Sequence, residues 1–143
     1  MTSLQYDNLT AIYEKAPNKS SFLNITDQGN QSKPDVIKKL QNFRLNYSFS
    51  KNDEECLFLY HNTVFADNTE GFLITDKYIY FKEVTNDGNF VEISELTSFE
   101  KIQDNRIRFN NYEQIILFEL EKNTDIFIEI VKALISYNKL TTK

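Results

Sequence analysis

The chain has 143 residues, of which 41% are hydrophobic and 14% aromatic, and its formal net charge is −5. This length suits one ordinary domain that buries roughly two thirds of its unfolded surface, so folding needs neither a disulfide nor a metal. The single cysteine, Cys56, excludes an intrachain disulfide framework and a cysteine-rich zinc site. The first residues lack the basic and apolar regions of a signal peptide, and no stretch approaches the roughly 18 apolar residues of a membrane span. We therefore expect a cytoplasmic protein.

The charge is unevenly distributed along the chain. Residues 1–50 carry 6 basic and 4 acidic side chains, residues 51–100 carry 3 and 11, and residues 101–143 carry 7 and 6. The middle segment thus has a net charge of −8. Such acidity repels phosphate backbones and anionic lipids and attracts basic partners. We expect no nucleic-acid ligand, and a protein partner with a basic surface.

The first 32 residues are predicted to form one helix and a polar loop. Residues 3–15 carry apolar side chains at about helical spacing, with Ser3 as a suitable N-cap. Residues 16–32 are polar and include proline and glycine, which is typical of a loop, and Phe22-Leu23-Asn24-Ile25 is expected to attach that loop to the core. We treat residues 1–32 as one segment and residues 33–143 as a helix plus the main domain, together forming one globular unit.

A second helix and a series of strands are predicted next. The helix covers residues 33–47, with Pro34 in the first turn, where its missing N–H has no cost. Thr75-Asp76-Lys77 has the spacing of a tight hairpin turn, and Asp87-Gly88 supplies the positive φ angles of a second hairpin. The seven predicted strands cover residues 56–61, 71–74, 78–81, 90–93, 97–102, 106–109 and 114–120.

The last predicted element is an amphipathic helix over residues 124–140. Asn123 or Thr124 is its expected N-cap, and Asp125 lies near the positive end of the helix dipole. Short antiparallel strands closed by one such helix indicate an α+β fold.

The order of seven strands followed by one helix resembles that of a bacterial pleckstrin-homology-like (PH-like) or GRAM-like domain. Residues 54–65 and the segment Gly71-Phe72-Leu73-Ile74-Thr75-Asp76-Lys77-Tyr78-Ile79-Tyr80-Phe81-Lys82 are similar to the opening strands of those domains. The resemblance covers about residues 33–140. It implies a bent antiparallel sheet of about seven strands, closed by a C-terminal helix and preceded by one or two helices. It implies no single ligand, because this fold binds lipids, peptides and proteins.

Catalysis is not expected from this sequence. The chain has one histidine, His61, one cysteine, Cys56, and no serine in a nucleophile-elbow context. On a strand, two residues five positions apart point to opposite faces, so Cys56 and His61 are not expected to form a dyad. We expect no enzyme, no cofactor and no metal site.

Anionic ligands such as phosphoinositides are the best-known ligands of the wider superfamily that the resemblance indicates. Their binding requires basic residues in the loop after the first strand, but residues 61–71 contain no lysine or arginine and do contain Asp67 and Glu70. Basic residues occur later, at Lys101, Arg106 and Arg108, and alternation places the two arginines on one strand face. They make peripheral membrane or anionic-ligand binding the alternative function.

A protein-interaction module is the preferred interpretation, and its predicted contact residues are acidic or apolar. Val64 and Phe65 form an apolar pair in a polar turn, which either packs under the C-terminal helix or presents a hydrophobic anchor. Tyr78 and Tyr80 share a face opposite Ile79 and Phe81, so one pair is expected in the core and the other partly exposed. The predicted function is that of a small acidic adaptor, or of an immunity or inhibitor protein that masks a basic toxin. The predicted partner-binding residues are Asp53, Glu54, Glu55, Val64, Phe65, Asp67 and Glu70.

Overall fold

The structure is a computed structural model that describes residues 1–16, 22–26, 34, 55–61, 71–82, 89–103, 106–110, 112–115 and 121–141. These residues form an α+β protein, as predicted. The elements in chain order are α1 (Ser3–Tyr13), β1 (Phe22–Asn24), β2 (Cys56–His61), β3 (Gly71–Thr75), β4 (Tyr78–Lys82), β5 (Asn89–Glu92), a 3₁₀ turn (Ile93–Glu95), β6 (Phe99–Gln103), β7 (Arg106–Phe109), β8 (Tyr112–Ile115) and α2 (Glu121–Thr141).

The chain forms two compact units. Ser20–Val91 make up one, called here the five-stranded unit, and Met1–Lys19 with Glu92–Lys143 make up the other, called the helix unit. The division at residue 32 that the sequence suggested remains a prediction. Among the described residues, no helix combines the length and the apolar character needed to cross a membrane.

The five-stranded unit contains one sheet with the strand order β1-β2-β3-β4-β5. Strands β1 to β4 pair antiparallel with their chain neighbours, so that Leu59 lies opposite Leu73 and Leu73 opposite Tyr80. These three residues share one face and are buried. The opposite face is also buried at Phe72 and Phe81, which are paired in register. Both faces of the sheet centre are therefore inaccessible to solvent.

Phenylalanine rings dominate this second face. Phe22 lies with its ring centroid 6.1 Å from that of Phe58 and 5.7 Å from that of Phe72, the latter in an edge-to-face arrangement. Tyr60 stacks on Phe72, its cross-strand partner, at 5.5 Å. Aromatic pairs at these distances add to the free energy gained from burying the rings. Several of the phenylalanines of this sequence therefore pack together in the core of the sheet.

Strand β1 was predicted only as part of a loop, although its contact with the core was expected. Phe22 is fully buried and lies opposite Tyr60, so that the short apolar run becomes an outer strand of the sheet. The strand ends after three residues because the side-chain oxygen of Asn24 accepts a hydrogen bond from the backbone N–H of Thr26 at 2.9 Å. The polar residues on both sides of this run favoured the prediction of a loop, whereas pairing with β2 stabilises it as a strand.

The helix unit contains the three-stranded antiparallel sheet β6-β7-β8 and both described helices. Burial alternates along β7, with Ile107 and Phe109 buried and the two arginines between them partly exposed. On the buried face Phe99 stacks on Phe109 at 5.9 Å and contacts Phe127 of α2 at 5.6 Å. Helix α2 also packs against α1, β6 and the 3₁₀ turn. The C-terminal helix therefore covers one face of this smaller sheet.

The N-caps of both helices differ from the prediction, and α2 begins earlier than predicted. The N-cap of α1 is Thr2, because its hydroxyl accepts a hydrogen bond from the N–H of Gln5 at 3.1 Å while the Gln5 side chain accepts one from the N–H of Thr2 at 2.9 Å. This capping box satisfies two backbone donors at once, which Ser3 as the N-cap would not have done. Helix α2 begins at Glu121, so Asn123 and Thr124 are buried residues of its first turn and not its N-cap.

Several strand boundaries also differ from the prediction. Strand β5 ends at Glu92 because Ile93 begins the 3₁₀ turn. Strand β6 begins at Phe99, because Thr97 and Ser98 are held instead by the side chain of Asn110. Strand β8 is observed over Tyr112–Ile115, before most of its predicted range, and residues 116–120 lie outside the described residues.

Two other predictions concern parts of the chain that are not described. Of the predicted helix 33–47 the structure describes only Pro34, which has helical backbone geometry and is exposed. The predicted Asp87-Gly88 turn lies within residues 83–88, outside the described residues.

Candidate functional site

Three aromatic rings meet on one side of the five-stranded sheet, and one of them is largely exposed to solvent. The ring centroids of Tyr78 and Tyr80 are 5.8 Å apart, and the ring of Phe90 lies 6.0 Å from Tyr78 and 6.1 Å from Tyr80. We call these three residues the aromatic cluster. Tyr80 is 2% exposed, Tyr78 is partly buried and Phe90 is 61% exposed. The cluster thus has a buried base and an exposed upper ring.

The base of the aromatic cluster belongs to a compact apolar core. Tyr80 packs in one group with Ile25, Cys56, Leu59 and Leu73, and Tyr78 packs against the edge of that group. Alternation predicted that one of the two pairs would be in the core and the other partly exposed. Ile79 and Phe81 are both buried, but in the other pair Tyr80 is also buried and only Tyr78 is partly exposed, so the prediction is wrong for Tyr80.

A tight turn fixes the start of β4 and with it the position of Tyr78. The hydroxyl of Thr75 accepts hydrogen bonds from the N–H groups of Lys77 and Tyr78, at 3.2 and 2.9 Å, and donates one to the carbonyl of Tyr78 at 3.2 Å. The threonine is buried, so its hydroxyl finds its partners within the turn. This is the hairpin turn predicted from the spacing of the two strands, and its hydrogen bonds hold the backbone of Tyr78 at the start of β4.

The same turn carries a small acidic group. The N–H of Glu55 donates a hydrogen bond to a carboxylate oxygen of Asp76 at 2.9 Å, and the N–H of Asp76 donates one to the carbonyl of Glu55 at 3.0 Å. Glu55 is exposed, and Asp76 precedes Tyr78 by two residues. Two carboxylates therefore lie at the end of the β3–β4 hairpin where the aromatic cluster begins.

Phe90 is the functional candidate that the sequence prediction did not single out. The sequence predicts a strand here but not which of its sides faces solvent, because Phe90-Val91-Glu92-Ile93 is too short and too mixed to show a clear apolar period. Alternation nevertheless places Phe90 on the same side of β5 as Glu92. A charged residue on the same side was the available signal that this phenylalanine faces solvent.

The structure describes one of the predicted partner-binding residues. Glu55 is described and exposed. The remaining predicted residues lie outside the described part of the chain; they are Asp53, Glu54, Val64, Phe65, Asp67 and Glu70.

The three basic residues of the alternative site do not share one face of the helix-unit sheet. Lys101 lies opposite Ile107 on the buried face, and its ammonium group forms an ion pair with Asp125 of α2 at 2.8 Å. Arg106 and Arg108 lie on the other face, as alternation predicted, and the guanidinium of Arg108 is 3.9 Å from the carboxylate of Glu100. The structure brings the two arginines together and separates Lys101 from them.

Cys56 and His61 occupy the two ends of β2, but the argument from strict alternation does not hold. A bulge between Cys56 and Phe58 changes the register, and Cys56 packs in the same group as Leu59 although the two are three residues apart. Distance still separates the pair, because five residues of strand span about 16 Å at about 3.3 Å per residue. Within the described residues, no group of three or more histidine, cysteine or acidic side chains is placed to hold a metal ion.

Comparison of this chain with protein-family models, with curated proteins and with solved structures gave no significant match.

Proposed function

We propose that this protein is a non-catalytic, cytoplasmic protein-interaction module of PH-like fold that binds the basic surface of another protein. The observation that carries the proposal is the aromatic cluster, in which Phe90 is 61% exposed and packs beside the buried Tyr80. Large aromatic side chains that are partly exposed on a fixed scaffold are typical of protein interfaces.

The order of the described elements supports the PH-like part of the proposal. Strands β2 to β5 form four neighbouring strands of one sheet, β6 to β8 form three neighbouring strands of another, and α2 follows. Seven consecutive strands before one C-terminal helix are what the resemblance implies. Strand β1 is an addition to that pattern.

The distribution of charge supports a basic partner. Residues 51–100 carry 11 acidic and 3 basic side chains, and two of the carboxylates, on Glu55 and Asp76, lie beside the β3–β4 turn. A surface of this sign accelerates association with basic proteins and disfavours acidic ones. The same segment disfavours nucleic acid.

A charge-reversal experiment tests the proposal. Partners captured from a lysate of the source cells are identified for the wild-type chain and for a variant with lysine at Asp53, Glu54 and Glu55. We expect the variant to lose partners of basic character. The matched control places lysine at three exposed acidic positions of the helix unit and changes the net charge equally; these positions are Asp7, Glu14 and Glu129. If both variants keep the same partners as the wild type, the proposal is wrong.

Binding of anionic ligands or membranes is the second candidate function. The observation that favours it is that Arg106 and Arg108 share the partly exposed face of the helix-unit sheet. Sedimentation with vesicles rich in anionic lipid at low ionic strength tests it, with the Arg106→Glu, Arg108→Glu double variant beside the wild type. No sedimentation of the wild type, or equal sedimentation of both proteins, would exclude this function for the arginine face.

A further inference from the structure

We draw no further inference here: the strongest candidate, the small and mostly apolar cavity that Ile93, Leu96 and Ile135 line between the 3₁₀ turn and the C-terminal half of α2, carries nothing because nothing in the structure shows what covers it.

Discussion

Strands β3 and β7 show that the two sheets bury their residues in different ways. In β3 the four residues after Gly71 are all buried, so both faces of that strand are covered. In β7 burial alternates, with Ile107 and Phe109 inside and the two arginines partly exposed. A continuous apolar run is typical of a strand covered on both faces, and alternation is typical of a strand with one face in water.

This difference decides where each unit can meet a partner. The centre of the five-stranded sheet has no exposed face at β3, so the exposed residues described in that unit lie elsewhere and include Glu55, Lys77 and Phe90. The three-stranded sheet keeps a charged face that carries Arg106 and Arg108. The preferred function and the alternative function thus belong to different units and can be tested separately.

The strongest test of the comparison is to shorten two adjacent residues of β3. Phe72 and Leu73 lie on opposite faces and are both buried, so Phe72→Ala and Leu73→Ala should each reduce the free energy of unfolding, by about 3–5 and about 2–5 kcal/mol respectively. Urea unfolding followed by far-UV circular dichroism measures this, with tyrosine emission as a second probe because the chain has 8 tyrosines and no tryptophan.

The exposed Leu4 provides the control for this pair. Leu4→Ala should change the free energy of unfolding by less than about 0.5 kcal/mol, because the side chain is already largely in water. If either Phe72→Ala or Leu73→Ala behaved like this control, one face of β3 would be accessible and the contrast with β7 would be lost.

Adjacent residues of β7 should respond unequally. Ile107 is fully buried, and Ile107→Ala should lower the free energy of unfolding by about 2–5 kcal/mol. Arg108 is partly exposed and its ion pair with Glu100 is long, at 3.9 Å, so Arg108→Ala should cost at most about 1 kcal/mol. The same urea experiment measures both, and equal losses would show that β7 is buried on both faces as β3 is.

The strand pattern of the sequence predicted much of this fold, and the failures have local causes. Apolar runs located β2, β3 and β4, because each run contains several large apolar side chains and is clearly distinct from the polar segments beside it. Strand β1 was missed because a three-residue strand depends on its pairing with β2, which is not local information. The β6 boundary was misplaced because a side chain twelve or thirteen residues away, that of Asn110, binds Thr97 and Ser98.

The candidate site was less predictable than the fold. Alternation correctly grouped Tyr78 with Tyr80, but it could not show that Tyr80 is covered and Tyr78 is not. That outcome depends on Ile25, Leu59 and Leu73, which come from three different strands or their ends. The exposure of Phe90 likewise follows from the position of β5 at the outside of the sheet, which a single sequence does not specify.

Asn110 provides a test of intermediate size in the helix unit. Its backbone φ is 49°, its side-chain oxygen accepts hydrogen bonds from the N–H and hydroxyl of Thr97 at 2.7 and 2.8 Å, and its Nδ2 donates to the carbonyl of Glu95 at 2.7 Å. Asn110→Ala should lower the free energy of unfolding by about 2–3 kcal/mol, because it removes these bonds and leaves a Cβ in the left-handed region without the side-chain hydrogen bonds that compensate for it.

Asn110→Gly separates the two contributions. Glycine loses the same hydrogen bonds but adopts a positive φ without strain, so this variant should be about 1 kcal/mol more stable than Asn110→Ala. Equal stability of the two variants, measured by urea unfolding, would show that the backbone angle contributes nothing and that the hydrogen bonds alone hold this turn.

The smallest expected effect concerns the ion pair on the buried side of the three-stranded sheet. The ammonium group of Lys101 is 2.8 Å from Asp125, with the two side chains 26% and 52% exposed. A double-mutant cycle of Lys101→Met and Asp125→Asn should give a coupling free energy of about 0.5–1 kcal/mol at low ionic strength. This coupling should decrease toward zero at 1 M salt, where the screening length is about 3 Å.

The pair Lys15 and Glu129 is the matched control for this cycle. Its charged atoms are 3.9 Å apart and its side chains are 65% and 51% exposed, so its coupling should be near zero at every salt concentration. Equal coupling in the two pairs would mean that the position of Lys101 on the helix-facing side gives it no special partner. Lys101 would then be as available to an anionic ligand as the arginines on the opposite face, and the separation of the two faces would lose its functional meaning.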